Sequence, residues 1–243
     1  MKLKTLLFIF TLLAIAGWGP MNLNTGLNTV STYFQNSYLH ESITSASWMN
    51  QTIKTICSEA GNLDPAVLKV GLTAYIHARQ QGLDNKQLLT LVDYSKPSDE
   101  RRLWVIDVKN LKVLFNTWVA HGKNSGAASA TSFSNQFGSL KSSLGVFLTE
   151  EPYVGGDGYS LRIEGLESHI NNNALKRNIV VHGAWYVGGD IAKTRGMLGR
   201  SFGCLAVSRN IAKPLINTIK DNTLVVAYYP DKNWLSHSAF LST

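Results

Sequence analysis

The chain has little cysteine, little charge and no clustering of either sign. Only Cys57 and Cys204 occur in 243 residues, so at most one disulfide can brace the fold. Charged residues make up 16% of the chain beside nine Tyr, nine Phe and six Trp, which excludes a disordered chain of high charge and few aromatics. The 23 Lys and Arg outnumber the 16 Asp and Glu, for a net charge of +7, but they are scattered. No run interleaves bases with aromatics, so the charge is a general bias toward anionic surfaces and argues against a nucleic-acid partner. No two His, Cys or carboxylate residues stand at ligand spacing, which argues against a zinc site. Gly155-Gly156-Asp157-Gly158 lacks the Lys-Ser/Thr ending and the helix signal of a phosphate-binding loop. There is no internal repeat, and past the N-terminus no apolar run is long enough for a bilayer span.

What is present begins with Lys2 and Lys4 ahead of an apolar run at 6–16 that only Thr11 interrupts. A charged start, a short apolar stretch and the small-x-small Ala14-Ile15-Ala16 read as a signal peptide over 1–16. Export to the periplasm or cell envelope is therefore expected, with membrane contact only through this segment if it stays uncleaved. Residues from 17 to about 45, rich in Asn, Ser, Thr and Gly, read as a leader. Trp48, Met49, Ile53, Ile56 and Cys57 recur at helical spacing, which makes Cys57 a small core residue. Asp64 and Pro65 open a second helix and Gly82 follows its last turn, so 17–87 is expected to be leader plus helical hairpin.

At Leu88 the pattern turns to strands. They are expected at 88–93, at 103–108 and 111–115 around a two-residue Lys109-Asn110 loop, and at 159–163, 178–182 and 224–228. A short helix is expected at 211–219, with Pro214 in its first turn. Strands separated by long Gly/Ser loops predict a mainly β domain over 88–243, a sandwich or barrel-like sheet behind a small helical segment.

Two segments carry chemistry. Arg200-Ser201-Phe202-Gly203-Cys204 places a thiol on tightly turning backbone, with Gly203 allowing a substrate carbonyl to approach and nearby N–H groups available as an oxyanion hole. Val180-Val181-His182-Gly183 delivers an imidazole at a strand end, followed at once by glycine. A Cys–His pair makes a nucleophile because the imidazole takes up the thiol proton, and Cys204 is expected to be thiolate-like at neutral pH. Each residue alone fits a buried core position better; the pairing carries the argument. His121 also follows a strand, and reads either as a site residue or as a hydrogen-bonded loop histidine. Ser134, Asn135, Ser142 and Ser143 read as peptide-backbone binders or as turn formers.

The pairing of Val181-His182-Gly183 with Ser201-Phe202-Gly203-Cys204 resembles the signature of the L,D-transpeptidases of the YkuD type, and most closely their murein L,D-transpeptidase catalytic-domain branch. Trp104-Val105-Ile106-Asp107, Val119-Ala120-His121-Gly122-Lys123, Lys141-Ser142-Ser143-Leu144-Gly145 and Gly158-Tyr159-Ser160-Leu161 are similar to the same branch, in the same order. The resemblance spans about 88–229. It implies a β-rich catalytic domain without metal or organic cofactor, acting on peptidoglycan stem peptides. It implies Cys204 as nucleophile attacking after the third stem residue, His182 as base then acid, and Ser201, Phe202, Gly203 and Gly183 around the substrate and oxyanion. Release to an amine gives transpeptidation and release to water gives carboxypeptidase activity. Two departures stand out: the broader family commonly has His where Phe202 stands, and Arg or Asn where Ala206 stands. Arg162, Arg177 and Arg200 are candidates for a stem carboxylate. A non-catalytic wall-binding module on the same fold, or another cysteine peptidase of sortase-like type, are the alternative readings.

Overall fold

The computed structural model describes residues 45–242; the expected signal segment and the leader to residue 44 lie outside the described residues. Eight strands form one sheet: β1 (Leu88–Asp93), β2 (Leu103–Asp107), β3 (Lys112–Thr117), β4 (Gly145–Gly155), β5 (Gly158–Gly165), β6 (Val180–Ala184), β7 (Leu205–Ser208) and β8 (Leu224–Tyr228). Their order is β3-β2-β1-β8-β4-β5-β6-β7. Two pairs, β1 with β8 and β6 with β7, are parallel, and the rest are antiparallel. Past β3 the chain crosses to the far edge, where Ala120 N–H donates to the Ala206 carbonyl at 2.8 Å and Gly122 bridges Ser201. The sheet thereby nearly closes on itself, the barrel-like form expected, and both of its edges gain partners.

Helix α1 (Ala46–Glu59) and helix α2 (Pro65–Gln80) precede the sheet. Ser45 caps α1 by accepting from Trp48 N–H, and Asp64 caps α2 by accepting from Ala66 N–H, with Pro65 in first position as its fixed φ favours. Helix α2 lies on β1 and β8, and α1 on β3. A Cβ at Gly71 would stand 3.2 Å from Leu91 Cδ1, so the glycine lets α2 approach β1 closely. Ile56, Leu68, Leu72 and Tyr75 of the helices share one core with Leu89, Leu91, Phe147 and Val225 of the sheet. Trp104 Nε1–H donates to the Ala60 carbonyl at 3.2 Å and pins the layers together. All of this lies on the half of the sheet away from β6 and β7.

Several local expectations need correction. The β2–β3 loop has four residues rather than two, because pairing resumes only at Asp107 with Lys112; Asp107 accepts from the Asn110 backbone and amide, and Leu111 takes φ +53°. Strand β4 was not expected, since Glu150-Glu151-Pro152 breaks its alternation. A bulge between Thr149 and Pro152 absorbs the proline. The last crossover helix, α4 (Arg209–Ile219), starts two residues early, so Pro214 sits inside it instead of in the first turn. An interior proline costs about 3 kcal/mol, yet burial of Ala212, Leu215, Ile216 and Ile219 against the sheet holds the helix. The run after β6, read as loop, contains α3 (Gly189–Arg195), and α5 (Lys232–His237) closes the C-terminus.

Candidate active site

Strand β6 carries His182, 4% exposed, between Ser160 of β5 and Ala206 of β7. Cys204 stands one residue before β7. Parallel pairing matches Val181 with Leu205 and His182 with Ala206. Side chains alternate along a strand, so the thiol two residues before Ala206 faces the same side of the sheet as the imidazole. Both line one cavity of about 390 Å³ together with Asp157, Arg177, Asn178, Tyr186, Arg200, Ser201 and Phe202. The two residues read from the sequence as a pair are brought together.

The turn before Cys204 is fixed from within. Gly203 has φ +124°, and a Cβ there would lie 2.8 Å from both Ile179 Cδ1 and the Lys141 carbonyl, so only glycine fits. Ser201 Oγ donates to the Cys204 carbonyl at 2.7 Å and accepts from Gly203 N–H at 3.1 Å. Ser201 and Gly203 therefore shape the turn. The Gly203 N–H, expected among the oxyanion donors, is already engaged, whereas the Cys204 N–H faces the sulfur. The turn is anchored to the closing strand by Ser201 N–H to the His121 carbonyl and Lys123 N–H to the Ser201 carbonyl. Gly183 serves packing: a Cβ would stand 2.9 Å from Ala212 Cβ of α4.

The imidazole's orientation follows from its neighbours. His182 Nδ1 lies 3.2 Å from the Gly183 carbonyl and 4.0 Å from Asp157 Oδ1, both acceptors, so Nδ1 carries the proton and Nε2 is the basic nitrogen. Asp157 carries no signal of a site residue in the sequence beyond its Gly-rich setting. That setting is the tight β4–β5 hairpin, which hangs the carboxylate over the cavity. Tyr186, pushed up to about 12 by burial, adds a neutral hydroxyl to the wall.

The sulfur is not the preformed thiolate that was expected. Burial pushes the Cys204 thiol up, Asp157 adds to this, and the N–H groups of Val180 and Cys204 with the Arg177 guanidinium only partly offset it. The thiol donates to the Asn178 carbonyl at 3.5 Å. The arrangement suits general-base removal of the thiol proton during attack rather than a resting ion pair. Cys57 is half-buried on α1, and both cysteines are free thiols.

Other candidates fall on either side of the cavity wall. Arg200 lines it and donates to the Gly126 and Lys123 carbonyls. Arg177 also lines it, held by Ser134, Ser139, Lys141 and Ser143. Phe202 is 67% exposed at the rim, with Lys123 Nζ 4.9 Å above its ring. Arg162 pairs with Glu151 and is not among the residues lining the cavity. His121, wholly buried, is outside the lining: its Nδ1 accepts from Arg102 Nη2 at 2.8 Å, and its Nε2–H points to the Gly126 carbonyl at 3.4 Å. Ser134 Oγ accepts from Gln136 N–H within its turn, and Ser143 Oγ donates to the Ser134 carbonyl. Ser142 Oγ instead accepts from Gly122 N–H at 3.0 Å and donates to the Gly203 carbonyl at 3.5 Å, so it braces the turn before Cys204.

Comparison with known proteins supplies the lineage. No curated protein matches. Solved structures with some likeness include an L,D-transpeptidase from Mycobacterium smegmatis, 13% identical over 59% of each chain with a TM-score of 0.38. An L,D-transpeptidase from Stackebrandtia nassauensis is 13% identical over 74% of this chain and 77% of its own, with a TM-score of 0.37. The chain spans 59% of the length of the first of these. Residues 59–228 match the family described as the L,D-transpeptidase catalytic domain, which is well over half the chain, and the protein belongs to that family.

Proposed function

We propose that the protein is a cysteine-dependent L,D-transpeptidase that acts on peptidoglycan stem peptides outside the cytoplasm. The observation that supports it is the shared cavity of Cys204 and His182, with the Nδ1 side of the imidazole held by the Gly183 carbonyl. In this reading Cys204 Sγ attacks the carbonyl carbon after the third stem residue while His182 Nε2 takes the thiol proton. The tetrahedral oxyanion accepts from the Cys204 N–H. Collapse breaks the amide C–N bond, His182 returns the proton to the departing amine of the D-residue, and a thioester remains. An amine of a second stem, or water, then attacks the thioester; its proton passes through His182 to the sulfur, which leaves as the restored thiol. The charged start and apolar run at 2–16 support export.

The test is mass spectrometry of a purified tetrapeptide incubated with the protein, alone and with an acceptor amine. Loss of the terminal residue or a crosslinked dimer, absent from Cys204→Ala, is the expected outcome. Equal product from the wild type and Cys204→Ala would refute it. The competing reading is a wall-binding module without turnover on the same fold, for which the departures at Phe202 and Ala206 are the motive. That reading expects sacculus binding unchanged by Cys204→Ser and no acyl-enzyme mass.

A further inference from the structure

The cavity at Cys204 shares lining residues with a neighbouring cavity, and that one with a third. Asp157, His182 and Tyr186 also border a second cavity of about 450 Å³. Ala184, Trp185 and Arg209 join that second cavity to a third, of about 640 Å³. The mechanism above uses nothing from this third chamber, although it is the largest of the three. Its walls combine Trp118 and Trp185 with Arg101, Arg209, Asn116 and Asn210. Trp118 is fixed as a wall, with the Arg101 guanidinium 4.6 Å over its ring and Gly189 so close that a Cβ there would stand 2.9 Å from its Cη2. Trp185 is different. Its indole is 62% exposed and meets the Tyr186 ring edge-on, at 5.8 Å and 82°.

An open indole among planar amide and guanidinium groups matches one ligand chemistry well. A pyranose ring presents a face of C–H groups to an aromatic platform and a rim of hydroxyl and acetamido groups to planar hydrogen-bonding side chains. An apolar peptide side chain would instead call for a chamber without the amides and guanidinium groups. The reach is compatible: Trp185 stands three residues past His182, just beyond the end of β6, so its Cα is at most about 10 Å away. The three stem residues between the scissile carbonyl and the stem's amino end span about 10 Å when extended. In peptidoglycan that amino end is joined to an amino sugar through its lactyl ether. We infer that the third chamber is a saccharide subsite, in which Trp185 stacks on the sugar carrying the donor stem and Asn116, Asn210 and Arg209 engage its polar rim. This rests on the proposed stem-peptide reading for its direction, but its binding site is separate from the thiol.

The test is calorimetry with the full chain carrying Cys204→Ala, which leaves substrates intact. The probes are a free tetrapeptide and the same tetrapeptide on an N-acetylglucosaminyl-N-acetylmuramic acid disaccharide. The disaccharide form is expected to bind about tenfold more tightly, a gain of the size of one aromatic stacking contact with its burial. Adding Trp185→Ala should bring the ratio of the two affinities to about one, and Trp185→Phe should restore most of it. Equal affinities for the two probes, or a ratio that survives Trp185→Ala, would overturn the subsite. A sugar-dependent ratio in a protein that never turns over substrate would sink the catalytic reading and leave the subsite standing; turnover without the ratio would do the reverse.

Discussion

Acid should loosen the support of the turn before Cys204 through His121. Arg102 always donates, so the facing Nδ1 must accept, and the single proton of the neutral ring sits on Nε2. Burial, with the Arg102 charge alongside and Arg200 further off, lowers His121 to about 4 from 6.5, while the Gly126 and Ala127 carbonyls pull weakly upward. The folded protein therefore binds this proton less readily than the unfolded chain does. Stability is unaffected well above pH 6.5, is lost as pH falls from 6.5 toward 4, and levels off below. Integrating the two titrations at pH 5 gives a loss of about 2 kcal/mol relative to neutral pH. For a chain of this size that corresponds to about 4–8 °C in Tm. His121→Asn keeps an acceptor for Arg102 and removes the titration. Raised acids such as Asp93 and Glu167 contribute a pH dependence of opposite sign, but equally in both proteins. The measurement is urea unfolding at pH 7.5 and pH 5: the wild type should lose about 2 kcal/mol more than the variant between the two. An identical pH dependence would refute the reasoning. Since the His121 carbonyl holds Ser201 N–H, turnover should decline over the same window.

Iodoacetamide labelling of Cys204 should rise with pH to a half-maximum above that of free cysteine, because burial favours the thiol; a plateau already reached at pH 7 would contradict this. Asp157→Asn removes one of the influences raising the thiol, so its labelling profile should move to lower pH, and an unmoved profile would remove Asp157 from the site. Gly203→Ala adds a Cβ at φ +124° and 2.8 Å from a carbonyl oxygen, and should destabilise by about 2–4 kcal/mol in denaturant unfolding. Phe202→Ala should raise KM severalfold with little change in kcat, because the ring walls the cavity without touching the sulfur's proton route; a fall in kcat alone would count against that.

The core strands were legible because β1, β2 and β8 are runs of buried apolar residues that no other element explains. The helical pair was legible through its caps, and the Cys204–His182 pair through two short segments whose glycines have definite steric tasks. What stayed hidden depends on contacts distant in sequence. Strand β4 carries its own disruption, repaired by a bulge against β5. Helix α4 tolerates Pro214 only because its apolar stripe is buried on the sheet. Asp157 reaches His182 across a hairpin whose length the sequence pattern did not fix. His121, between two readings in the sequence, is decided by Arg102, a residue 19 positions away whose own burial could not be inferred from its neighbours.

His182 and Cys204 stand at the two ends of a single crossover, one on β6 and the other just ahead of β7, and the ladder between those strands sets their offset. Outside Gly183, Ser201 and Gly203, which fix the packing and the turn, the connection can therefore lengthen, shorten or exchange side chains without altering how the two side chains meet. Diversification has an open field there. The same excursion supplies Tyr186 and Trp185, so a lineage could retune what it grips while leaving its chemistry untouched.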